Sequence, residues 1–414
     1  MADLQPVRGT RDLLPDENRR QRQVVDAARQ ISALYGYDEI AVPIFEFTEV
    51  FKRTLGDTSD IVTKEMYTFT DRGGEQITLR PEVTAGIMRA LISGGLTQNL
   101  PLKFFCTGPM FRYERPQKGR YRQFHQIDIE LLGAPEPEGD VEVIAVGAHI
   151  LEKLGILEKT TLELNTLGDF ESRAAYRKAL VDYLTRFRDA LSEDSRHRLE
   201  RNPLRILDSK DDGDKRIVAD APIFFDYLNE ASRDFFKTVQ DRLEALDISF
   251  VLNPRIVRGL DYYCHTVFEF TTTALGAQGA VLAGGRYDGL AEAMGGPATA
   301  GVGWAGGIER LAMLAKEVPP PARPIAVIPV GESAELSALR LAHDLRRRGI
   351  SVELGFRGNL SRRMKRANKL NARAAILIGE DELKRGSATL RDLDTGTQAE
   401  LPLGALADRL VEER

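Results

Sequence analysis

Cysteine is nearly absent from this chain. Two residues among 414, Cys106 and Cys264, can form neither a disulfide framework nor a cysteine-rich zinc site. Both are expected to be buried and apolar. Histidine is scarce as well, and positions 125, 149, 197, 265 and 343 share no metal-ligand spacing, so a structural zinc is not expected. No apolar run reaches the roughly 20 residues that a membrane-spanning helix needs. Met1 to Asp12 carries no apolar leader, which points to the cytoplasm as the expected compartment. Internal repeats and low-complexity tracts are lacking too. What remains is a soluble globular composition, 43% hydrophobic and 29% charged, with a length suited to two or three domains.

Excess positive charge is also missing: the formal net charge is −5. That figure hides an asymmetry. From Ile325 onward the chain carries 16 basic and 13 acidic residues, a balance of +3, which leaves −8 for residues 1–324. Between Phe356 and Arg373 stand seven basic residues and no acidic one. Phosphate contacts act over about a Debye length, ~10 Å, so such a local excess matters more than the total.

Val318 to Pro324 holds four prolines in seven residues and is predicted to be a stiff linker, with residues 319–324 as its body. Beyond it, strands at 325–330, 351–354 and 374–378 alternate with helices at 334–348 and 360–370. That order predicts an α/β domain over 325–414. Before it, Pro15 opens a helix that runs to Tyr35 and stops at Gly36. Extended segments follow around 39–43, 77–80, 103–114, 123–132, 251–257, 262–271 and 281–284. They predict an α+β core over 1–318 built on a mainly antiparallel sheet with flanking helices. Residues 170–249 are charged and helical, and they read as an insertion within that core.

The chemistry concentrates between Lys103 and Gly133. Two extended runs flank a loop, Arg115 to Arg120. Alternation places Arg112 and Glu114 on one face of the first run. In the second run it places Phe124, Gln126, Asp128 and Glu130 on one face, and His125, Ile127, Ile129 and Leu131 on the other. The apolar set packs on the core, with His125 read as a packed histidine rather than a catalyst. An amphipathic hairpin with one wet face is the plain reading. Arg115, Lys118, Arg120 and Arg122 are more cations than a turn requires, and phosphates would explain them.

Strand, basic loop and strand with the sequence Phe111-Arg-Tyr-Glu-Arg115 resemble motif 2 of the class II aminoacyl-tRNA synthetases. Thr299 to Leu314, a glycine-rich strand entering a helix that holds Arg310, is similar to motif 3. Pro43 fits motif 1. Val257 to Tyr263 (VRGLDYY) and Ala283 to Gly289 (AGGRYDG) resemble the two signature peptides of the histidyl-tRNA synthetase family. Arg8 to Asp12, Thr78 to Thr84 and Arg112 to Gln126 match it as well. The resemblance spans essentially the whole chain, with the tail similar to that family's anticodon-binding domain.

The resemblance implies ATP-dependent activation of L-histidine to histidyl-adenylate, then transfer of the histidyl group to the 3′ end of tRNA(His). ATP and Mg²⁺ are the implied cosubstrate and ion, and a homodimer built around motif 1 is implied. Catalysis falls to Arg112, Arg258 and Arg310, and the ATP site to Arg112, Glu114, Phe124 and Arg310. Histidine falls to Glu82, Thr84, Gln126, Glu130, Arg258, Tyr263 and Tyr287. The acceptor end of tRNA falls to Arg115 and Gln117. Arg362, Arg366 and Lys369, on one face of the tail helix by i, i+4, i+7 spacing, form a possible phosphate-facing stripe. Each has a structural alternative: Arg258 as a strand-end cation paired with Asp261, Glu82 as a helix N-terminal carboxylate, the tail stripe as a solvated face. Of Tyr262 and Tyr263, alternation lets one reach the pocket. A regulatory paralogue without synthetase activity typically lacks the tail and the catalytic arginine, and both are present here.

Overall fold

The computed structural model describes residues 4–55, 61–117, 119–207, 209–256, 262–276 and 279–412. Contacts divide the chain into two units, Met1–Val318 and Pro319–Arg414. Among the described residues no helix is long and apolar enough to cross a membrane.

In the first unit an eight-stranded sheet carries the fold. Its spatial order is Asp38–Glu39, Leu102–Phe111, Gln123–Leu132, Gly301–Gly307, Gly279–Arg286, Cys264–Thr272, Thr161–Thr166 and Val251–Leu252. The central pairs are antiparallel and the two outermost pairs parallel. One face is sealed by helices Pro15–Leu34, Pro137–Lys153 and Ile308–Leu314. Val24, Ile31, Ile144, Ile150, Leu311 and the strand residues Ile127, Ile129 and Leu131 form the core there. Burial of such side chains is the dominant favourable term, about 1.5–3 kcal/mol each. Sequence periodicity does not mark helix Pro137–Lys153. Apolar residues surround it on most sides, with Val141, Val143, Ile144, Ala145, Val146, Ala148, Ile150 and Leu151 all buried, so no amphipathic stripe marks it.

Residues 170–249, read as a helical insertion within the core, pack at two places. Helices Phe170–Thr185, Glu193–Arg201 and Asp212–Ala219 share an apolar cluster with Tyr263 and Tyr287. Helix Glu230–Ala245 instead sends Phe236, Val239 and Leu243 into the core beneath the sheet. Those residues form an i, i+3, i+7 stripe, the apolar face of an amphipathic helix.

In the second unit a five-stranded sheet has the order Val352–Leu354, Ile325–Pro329, Ala374–Ile378, Ser387–Asp392, Gln398–Pro402. The first three strands are parallel, as strand–helix alternation requires. The last two add antiparallel. Gln398–Pro402 is almost wholly exposed, so it lacks the buried alternation that marks a strand in sequence.

Candidate active site

The hairpin Leu102–Phe111 and Gln123–Leu132 is paired along its full length, which fixes the facing of every side chain. Ile127, Ile129 and Leu131 enter the core. Phe124, Gln126 and Asp128 turn to the opposite face and line a cavity of about 280 Å³ with Glu82, Thr84, Arg112, Glu114, Tyr263, Tyr287 and Arg310. Sequence positions more than 200 residues apart therefore meet at one site. Glu130 lies just under its wall. His125 departs from the expected core packing: it is half-buried, and its Nδ1 sits 2.9 Å from Glu309 Oε1. The same carboxylate accepts the His125 backbone N–H, which ties the motif 2-like strand to the helix carrying Arg310.

One end of the cavity is cationic and aromatic. Arg112 donates from Nε to the Pro81 carbonyl at 2.8 Å, and its guanidinium stands 5.2 Å from the Phe124 ring centroid. Glu114 lies 3.5 Å from Arg120. Arg310 is half-buried against Gly279, where a Cβ would come within 2.4 Å of its Nη2. A larger residue at 279 would displace that guanidinium. Burial and the neighbouring Arg120 hold the Arg310 pKa below its ordinary value. Two cations crowded in a partly dry site favour an anionic guest.

The other end is a closed polar slot. Glu130 is 1% exposed; one carboxylate oxygen accepts from the Tyr287 hydroxyl and the other from Thr84 Oγ1. Strand Gly301–Gly307 makes room for this arrangement. A Cβ at Gly303 would lie 1.9 Å from Glu130 Oε2, and one at Gly301 2.3 Å from the Tyr287 ring. Burial raises the Glu130 carboxyl to about 8 against the hydrogen bonds from Thr84 and Tyr287, with Glu82 adding to the rise. Glu82 accepts the backbone N–H groups of Thr84 and Ala85 at 2.7 and 3.0 Å. It thus holds the first turn of helix Thr84–Ser93, and burial raises its pKa also.

Tyr262 and Tyr263 both line the cavity, with ring centroids 4.6 Å apart. The expectation that only one would reach it fails because neither belongs to a strand: regular pairing begins at Cys264. Arg173, from the helical segment, donates to the Tyr263 carbonyl at 2.9 Å and supports this turn. Arg258 and Lys118 lie outside the described residues.

Arg115 and Gln117 are exposed on the hairpin loop, away from the cavity lining. Arg122 stacks 3.7 Å over Tyr113 and is a scaffold for the loop. Gly9 accepts the Arg122 backbone N–H at 2.8 Å, and Arg11 stands 4.3 Å from the Tyr121 ring centroid. The N-terminal segment thereby clamps the hairpin.

In the second unit Arg362 and Arg366 line a cleft of about 290 Å³ with Phe356, Arg357, Arg363 and Glu353. Lys369 is exposed outside it. Arg366 pairs with Glu353 at 2.5 Å. Phe356, 77% exposed, is a feature for which the charge pattern alone assigned no role.

Comparison with known proteins agrees with this geometry. A family model described as histidyl-tRNA synthetase matches residues 9–311, and one described as an anticodon binding domain matches 324–413. A histidine–tRNA ligase of Rhodospirillum rubrum is 61% identical over 413 residues, covering 99% of each chain. One of Gluconacetobacter diazotrophicus is 58% identical, again over 99% of both. Among solved structures, apo histidyl-tRNA synthetase of S. aureus superposes with a TM-score of 0.82 at 34% identity, covering 98% of this chain and 99% of that one. The fold, the two matched regions and the full-length identity lead to one conclusion: the chain belongs to the histidyl-tRNA synthetase family.

Proposed function

We propose that the cavity of the first unit binds histidine and ATP end to end, the imidazole in the Glu130 slot and the nucleotide between Arg112 and Arg310. Family membership makes the chain an enzyme that activates histidine with ATP and charges tRNA. The observation that carries the placement is a single cavity with a cationic, aromatic end and a closed polar end.

The attacking histidine carboxylate is already ionised, so activation needs no protein nucleophile. A carboxylate oxygen bonds to the α-phosphorus as the bond to the bridging oxygen of pyrophosphate breaks. Alignment and fixed positive charge supply the catalysis. Arg112 is assigned to the α-phosphate and the carboxylate, Arg310 to the γ-phosphate and one flank of adenine. Phe124 and Glu114 take the adenine by stacking and hydrogen bonding. Mg²⁺ would accompany ATP and would neutralise charge on its phosphates. Arg258 is assigned a second fixed cation near the α-phosphate, on its motif alone; a guanidinium suits the role because it does not titrate. Glu82, Thr84 and Gln126 face the substrate's ammonium. Glu130, Tyr263 and Tyr287 shape the imidazole slot. A site whose buried polar groups need a hydrogen-bonding guest rejects apolar analogues strongly.

Residues 1–318 are taken as the catalytic core, with the helical part of 170–249 as its insertion. The proline-rich stretch 319–324 leads to the anticodon-binding domain at 325–414. Arg115 and Gln117 are assigned to the acceptor end, and Arg362, Arg366 and Lys369 to the anticodon stem and loop. A homodimer in the cytoplasm completes the reading.

Arg112→Gln and Arg258→His test the assignment. Each is expected to lower histidine-dependent ATP–pyrophosphate exchange by about 10²–10³-fold, as loss of one preorganised charge does, while histidine binding stays measurable by calorimetry. Near-normal exchange in either variant would remove that arginine from the mechanism.

A further inference from the structure

Asp128 is the buried acid to which no role has fallen. It lines the cavity and is 2% exposed. Among the described residues its Oδ2 has no hydrogen-bond partner. Gln126 Oε1, two positions earlier on the same strand face, is likewise unpartnered. The other carboxylates at this end already accept two hydrogen bonds each. Glu130 accepts from Tyr287 and Thr84, and Glu82 from two backbone N–H groups. A buried acceptor without a donor costs about 1–3 kcal/mol, more if charged, so its persistence calls for a guest.

We propose that Asp128 is a further substrate-binding residue that, with Gln126, receives the α-ammonium of the bound amino acid. The inference rests on placing the imidazole in the Glu130 slot. Phe124, Gln126, Asp128 and Glu130 follow one another on one face of strand Gln123–Leu132, at steps of about 7 Å. With the imidazole at Glu130, an extended histidine puts its ammonium about one step back along the strand, beside Asp128. Its carboxylate then points toward Arg112 and the nucleotide. Opposite Asp128 in the pairing stand Ala305 and Cys106, both small, so the strand leaves space there. Burial, together with Glu130 and Glu82, raises the Asp128 carboxyl well above its usual range, against the pull of Arg80 and Arg112. An incoming ammonium reverses that penalty, because an opposite charge at close range favours the ionised form.

The test is Asp128→Asn in the full-length enzyme, assayed by ATP–pyrophosphate exchange. Histidine KM should rise about tenfold or more, the scale of a hydrogen bond between charged groups, with ATP KM within about twofold. The competitive inhibition constant of 3-(imidazol-4-yl)propionate, which lacks the ammonium, should stay within about twofold of wild type. The melting temperature without ligand should stay level or rise, since an unpartnered buried carboxyl is gone. Unchanged histidine KM overturns the proposal, as does equal weakening of histidine and the desamino analogue. A fall in melting temperature with loss of both substrates would mark Asp128 as structural and also overturn it. Wild-type enzyme that exchanges normally beside an indifferent Asp128→Asn sinks the proposal alone. Wild-type enzyme without exchange sinks the active-site reading first.

Discussion

Glu130 shows how single residues set the behaviour of the site. Its carboxyl titrates near 4.5 when solvated and near 8 in the folded chain. The folded state therefore holds a proton that the unfolded state has released over that interval. The contribution is whole below about 4.5 and is lost as pH rises through about 8. Glu82 and Asp128 shift in the same direction. The ligand-free enzyme should lose melting temperature between about pH 5 and pH 8, and Glu130→Gln should show a visibly shallower decline. A variant decline as steep as wild type would mean that Glu130 does not hold this proton. Alternation alone could place Glu130 with Phe124, Gln126 and Asp128, and the family resemblance could assign it to the substrate. Its two hydrogen bonds could not be read in sequence, because Thr84 and Tyr287 come from distant segments. Tyr262 misled for a different reason: the two-residue period of a strand says nothing once the chain turns.

At the scale of elements, hairpin 102–132 was legible and helix 137–153 was not. The hairpin buries an apolar face and a polar one, so alternation survives in its sequence; the helix is surrounded by apolar contacts on most sides and shows none. What anchors that helix is a pair equally invisible in sequence. Arg286 and Asp140 are both fully buried and bonded to each other, with Arg286 also reaching the carbonyls of Ala134 and Glu136 at 3.0 and 3.1 Å. Arg286 precedes Tyr287, so this clamp joins the helix start to the strand end that leads into Tyr287, the partner of Glu130. Asp140→Ala leaves the guanidinium short of its main partner and should cost roughly 3–5 kcal/mol in urea unfolding, the scale for breaking a buried ion pair. A cost below about 1 kcal/mol would mean that Asp288, 3.1 Å away, and the carbonyls suffice. The second signature peptide, read as a substrate motif, is thus also a structural one.

For the whole molecule, the separation of charge gains a physical meaning. An acidic body of −8 carries the cavity, and a +3 tail presents a cleft with Phe356 and several arginines. Net charge alone would have argued against a polyanion partner; local charge argues for one. Arg362→Glu with Arg366→Glu should lower kcat/KM for tRNA charging by about tenfold or more at moderate salt, leaving exchange within about twofold. Equal losses in both assays would contradict a separate tRNA-binding function for the tail. The tail's strand–helix alternation was legible because its central parallel strands are apolar and buried, whereas the edge strand Gln398–Pro402 is almost wholly exposed.

The most direct measurement is ATP–pyrophosphate exchange by the full-length enzyme across all twenty amino acids. Histidine alone should support rapid exchange, with every other amino acid lower by about 10³-fold or more, because the slot's buried polar groups need a hydrogen-bonding ring. Folded enzyme that shows no histidine-dependent exchange, or exchanges equally well with another amino acid, would contradict the account.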